Sequence, residues 1–361
     1  MILNAYAVLD AFVSLLRLGL GLPLVWFAVV TWGRWRRSDR SPAHRQELED
    51  RSYLLFLLAG LLLALNLLAW PLLYLLLQSY VTEWPGVMCI YGVTRVGRGS
   101  LGSSRYLPTL LTALQAAKPL LVFLSGAWFV LHLVNRRTRT APFTGRILLV
   151  LFAASLLGSA DAATELAYLV IPKKEELLSS GCCMAAYDLD GGPGRFVPPH
   201  LLGENSVGWL SAAYYAFNAG MVVALATCVR VGRHRATNHL PTTLPNGRRY
   251  CGWLAPLLAA ALATLAVDTV FLTEVAAPRL LRMPDHHCPY DLVSVAPRSL
   301  GAVALFVGST FCVGWACVVG WFGRGPESES FGAGVVGTLL RLAAVGYGAS
   351  VLILSAELML A

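Results

Sequence analysis

Long apolar runs, broken by short polar segments, dominate the chain. Eight runs lie near 6–33, 53–80, 107–134, 146–170, 207–231, 252–276, 299–323 and 331–358. Each meets the requirement of about 20 mostly apolar residues for a helix that crosses a bilayer. The run 53–80 is almost wholly Leu and Ala, whereas the last is rich in Gly and holds Arg341 and Glu357. The pattern predicts an all-α integral membrane protein, a bundle of about eight transmembrane helices with three substantial loops packed on one face. The first run ends at Arg34, Arg36 and Arg37. A cleavable signal peptide has its charges before the apolar core, so this run is expected to stay as a spanning helix.

The polar segments differ in charge. Segment 34–51 holds six arginines, and segments 135–145 and 230–250 are also arginine-rich. With eight spans these three fall on one side, which the positive-inside rule makes cytoplasmic. Segments 81–106, 171–206 and 277–298 then face the opposite compartment together with both termini. An inner-membrane location, with those three loops in the periplasm, follows as the expectation.

Composition agrees with this reading. Hydrophobic residues make up 57% of the chain and charged residues 13%, about half the share of a soluble protein. The net charge of +8 is concentrated in the arginine loops, with no aromatic-interleaved basic patch, so no nucleic-acid partner is expected. The lipid bilayer is the first partner, and other membrane or periplasmic subunits are expected beside it.

The chain reads as one polytopic membrane domain, residues 1–361, with a weak internal repeat. Glutamates recur near the same ends of the even-numbered spans, at Glu83, Glu165, Glu274 and Glu357. Glu83 and Glu274 are 191 positions apart, and Glu165 and Glu357 are 192 apart. Two tandem four-helix halves, 1–190 and 191–361, would give this spacing.

Candidate chemistry falls in two groups. Cys89, Cys182, Cys183 and Cys288 lie on the predicted non-cytoplasmic side, and the last follows His286 and His287. Three readings stay open for them. Two disulfides could staple the loops, each closing a loop worth about 4 kcal/mol in the chain-entropy model. Thiolate and imidazole ligands suit a soft metal, Cu(I) or Zn. Adjacent histidines could also activate a thiol for redox exchange, although no Cys-x-x-Cys is present. The expected ligand set is Cys89, Cys182, Cys183, His286, His287 and Cys288.

The second group is the ionisable residues within the spans: Arg17, Lys118, Asp161, Glu165, Asp268, Glu274, Arg341 and Glu357. Charge at membrane depth is costly and marks function by default. Asp161 and Glu165 are four apart and share a helix face. The acids are expected to pair with Lys118 and Arg341, or to form a path for protons or cations. Glu83, Glu274 and Glu357 are expected to reach water at helix ends.

No Walker loop, Gly-x-Ser-x-Gly elbow, His-Glu-x-x-His pair or Cys-x-x-Cys-His haem site occurs. Three functions follow as expectations: soft-metal or thiol handling at the cysteine-bearing face, a membrane anchor subunit of a larger complex, or a secondary transporter using the buried acids.

Overall fold

The computed structural model describes residues 4–37, 42–84, 87, 89–97, 102–138, 143–173, 206–237, 252–283, 287–323 and 329–361. Among them, eight helices are long and apolar enough to cross a membrane. The protein is an all-α polytopic membrane protein, and its spans coincide with the eight apolar runs.

The chain forms two compact units, Met1–Gly181 and Cys182–Ala361. The first contains α1 (Ala5–Arg37), α2 (Pro42–Glu83), the short α3 (Ile90–Arg95), α4 (Leu107–Arg136) and α5 (Thr144–Val170). In it α1 packs on α5 and α2, and α4 packs on the same two helices. The second contains α6 (Ser206–Thr237) and α7 (Leu254–Phe271), which continues through a π turn, Leu272–Ala276, into α8 (Ala277–Leu280). The short α9 (Pro289–Val295), α10 (Pro297–Phe322) and α11 (Glu329–Leu360) complete it. Here α6 packs on α11 and α7, and α10 packs on the same two helices. Element order and packing partners therefore match, helix for helix.

Helices are the stable form of these segments because hydrocarbon offers no partner to a free backbone amide or carbonyl. Proline accordingly marks helix starts, in the first turn of α4, α9 and α10. Hydroxyl groups inside the spans bond back to the preceding turn, as Thr264 does to Ala260 O and Thr310 to Phe306 O. Past the end of α5, the fully buried Lys173 ammonium caps the carbonyls of Tyr168, Leu169 and Ile171 and lies over the Tyr168 and Tyr80 rings.

Close helix contact uses a glycine against a serine in each unit. A Cβ on Gly21 of α1 would stand 2.3 Å from Ser159 Oγ of α5. One on Gly346 of α11 would stand 2.1 Å from Ser309 Oγ of α10. Small residues at such crossings let backbones approach, and dispersion replaces the hydrophobic effect as the source of association.

Candidate functional site

The core of the first unit is ionic. Arg17 on α1, Lys118 on α4, and Asp161 and Glu165 on α5 are buried side chains that meet inside the bundle. Arg17 donates from Nη2 to Asp161 Oδ2 (2.5 Å), from Nη1 to Glu165 Oε2 (2.9 Å) and from Nε to Asn66 Oδ1 (2.9 Å). Lys118 Nζ donates to Asp161 Oδ2 at 2.8 Å and to Glu165 Oε1 at 2.9 Å. Ser14 Oγ adds a bond to Glu165 Oε2 at 2.8 Å. Gly158 makes room for this group, since a Cβ there would press on the Asn66 amide at 3.1 Å.

The four-residue spacing of Asp161 and Glu165 puts both carboxylates on one face, where two cations bridge them. The expected partner Lys118 is present. Arg341 is not a partner: it is exposed on α11 and bonds within its own helix, to Gly337 O and Thr338 Oγ1. Arg17, a candidate from its depth, takes that role because it enters from α1 beside α5.

A further acid, Asp10, is fully buried beside Glu165. Neither of its carboxyl oxygens meets a donor. The sequence reading passed over Asp10; the signal that could have found it is its place within the first apolar run, seven residues before Arg17 on the same face of α1.

The second unit has a different centre. Asp268 on α7 is buried and accepts two bonds from Asn218 Nδ2 of α6, at 2.8 and 3.1 Å. Apart from Arg341, residues 207–229, 254–278, 299–323 and 331–360 contain no Lys or Arg. Asp268 lines a cavity of about 90 Å³ together with Tyr214, Thr269, Phe306, Ser350 and Leu354.

Glu274 takes a separate partner. It sits in the π turn Leu272–Ala276, and its carboxylate lies 3.5 Å from His287 Nδ1. It is buried, contrary to the expectation of a water-reaching helix end, because α8 extends the helix beyond it. Glu83 is exposed, as expected. His287 Nδ1 also lies 3.1 Å from Thr273 O, while its Nε2 is buried without a protein partner among the described residues.

Of the expected cysteine–histidine set, Cys182, Cys183 and His286 lie outside the described residues. In the first unit Cys89 is buried at the N-terminal end of α3. In the second, Cys288 is buried at the N-terminal end of α9, and its Sγ is within 4.8 Å of an Asp291 carboxylate oxygen. Neither cysteine side chain caps its helix. His132 of α4 packs between aromatic rings, stacked on Trp128 and edge-on to Phe56.

Comparison of the chain with known family models, with curated proteins and with solved structures gave no match.

Proposed function

We propose that the chain is a secondary transporter in which the first unit is a charge-locked frame and Asp268 of the second unit is the working carboxylate. The supporting observation is the setting of Asp268. It is a carboxyl at membrane depth whose bonded partner is a neutral amide, and it borders a cavity within a unit whose one basic residue inside the spans, Arg341, is exposed and bonds within its own helix. An acid so placed must take up a proton or a cation to be stable in hydrocarbon. The arginine-rich loops support an inner-membrane setting with both termini on the non-cytoplasmic side. The matching helix order of the two units supports a tandem duplication, near the expected division at residue 190.

The test is flux. The full chain, reconstituted in liposomes with a trapped pH-sensitive dye, should move protons or a counter-cation when a membrane potential is imposed. Asp268→Asn should remove that flux with the protein still folded. Equal flux in the variant would contradict the proposal.

A second reading, soft-metal or thiol handling, is favoured by His287. Its Nδ1 is held by Thr273 O, which leaves Nε2 as an open donor atom next in sequence to Cys288. Backbone anchoring of one ring nitrogen is how ligating histidines are oriented. Elemental analysis of protein purified without chelator should then find stoichiometric copper or zinc, lost in His287→Ala and Cys288→Ser. Metal-free protein would remove this reading.

A further inference from the structure

The polar groups around the second unit's cavity are nearly all acceptors. Ser350 Oγ spends its hydrogen on Ala302 O at 2.7 Å, and Thr269 Oγ1 spends its own on Leu265 O at 2.7 Å. Both oxygens therefore keep only lone pairs for an occupant. Asp268 adds two carboxylate oxygens. The remaining walls are apolar: Leu265 and Leu354, the Phe306 ring, and the Tyr214 ring, which stacks on Phe271 at 4.1 Å between centroids. Thr269, at the rim, is exposed.

Such a lining selects strongly. An anion meets the like charge of Asp268 and the lone pairs of Ser350 and Thr269, with the Tyr214 hydroxyl as the one other polar group of the lining. A hydrated metal ion meets too few oxygens to replace its water. A neutral alcohol supplies one donor and leaves the carboxylate uncompensated. A protonated primary amine supplies three donors and a positive charge, its alkyl part suits the leucine walls, and the aromatic faces add cation–π attraction. The volume of about 90 Å³ has room for about three waters or a chain of a few heavy atoms.

We propose that this cavity binds a small primary alkylammonium ion, with its nitrogen on Asp268 and its alkyl group toward Leu265 and Leu354. The proposal rests on the reading of Asp268 as the working carboxylate, and it names the solute class of that site.

Equilibrium binding tests it apart from transport. The full chain in nanodiscs is titrated with n-propylammonium, tetramethylammonium or 1-propanol at constant ionic strength, and binding is read by calorimetry and by the rise in Tm. Propylammonium should bind saturably, and 1-propanol should not. Tetramethylammonium, which has charge but no donor, should bind more weakly. Asp268→Asn should weaken propylammonium binding by about tenfold or more, the scale of one charge-assisted hydrogen bond. Ser350→Ala, a milder change on another helix, should weaken it by a smaller factor.

Equal binding of the alcohol, or unchanged affinity in the folded Asp268→Asn protein, would overturn the proposal. Saturable propylammonium binding without flux would keep the site and remove the transporter reading. Asp268-dependent proton flux without propylammonium binding would remove the solute class alone.

Discussion

The two units share an order of helices and a set of packing partners, yet their centres are built from opposite materials. In the first, Arg17 and Lys118 close around Asp161 and Glu165 in a shared set of ion pairs, with Asp10 buried beside them. In the second, Asp268 has an amide and a cavity. The same frame can therefore hold either a filled ionic core or an open acidic one. The choice is made by two residues, a lysine in α4 and an arginine in α1, for which α10 and α6 offer no deep equivalent. A bridged carboxylate is fixed in place and unavailable to a solute, whereas a carboxyl beside space can exchange partners. On the proposed reading, the first unit is the support and the second carries the traffic.

Breaking the filled core should produce the largest effect. Lys118→Met strands buried carboxylates and should cost about 3–5 kcal/mol, seen as a large loss of Tm in detergent. Adding Asp161→Asn to it should return part of that loss, because the two residues belong to one network. A near-zero cost for Lys118→Met would show that the core is hydrated and not locked.

Overfilling a helix crossing should come next. Gly21→Ala pushes a methyl group onto Ser159 Oγ and should cost roughly 1–3 kcal/mol. Ser159→Ala in the same chain should recover much of it. Gly346→Ala and Ser309→Ala in the second unit should behave alike, since there the contrast between units disappears.

Asp268→Asn should change stability by less than about 1 kcal/mol, because the amide keeps a bond to Asn218 and loses the cost of a buried charge. Measured by the same melts, this contrast with Lys118→Met separates the working acid from the structural ones.

The last effect concerns pH and is confined to alkaline solution. Burial lowers the Lys173 ammonium, which lies beyond the end of α5, from its ordinary 10.5 to about 8. Between those values the unfolded chain binds more protons, so this residue's contribution to stability should rise with pH from about 8 to 10.5. Lys173→Met should remove that slope from a pH series of melting temperatures.

The spans were legible because hydrocarbon imposes one rule, a helix of sufficient length and apolarity, on every crossing segment. The pairing of Asp161 and Glu165 with Lys118 was legible too, from four-residue spacing and the need of buried charges for partners. The Arg341 partnership was not. Depth along a helix can be counted in sequence, but the direction a residue faces depends on neighbouring helices, and Arg341 faces outward. Glu274 was misjudged because a π turn and a short continuing helix carry no clear sequence mark. Asn66 and Asn218, amides within apolar helices, were passed over in the sequence, although a buried amide needs a partner and each of them borders one of the two sites. The acceptor-rich cavity was beyond reach, since it depends on which carbonyls Ser350 and Thr269 satisfy.

The division of roles between the units is tested most directly by a lipid-soluble carbodiimide, which modifies carboxyl groups that are protonated and reachable within the membrane. After labelling in liposomes, peptide mass spectrometry should find modification at Asp268 and none at Asp161 or Glu165. Modification of the ion-paired acids, with Asp268 left intact, would contradict the account.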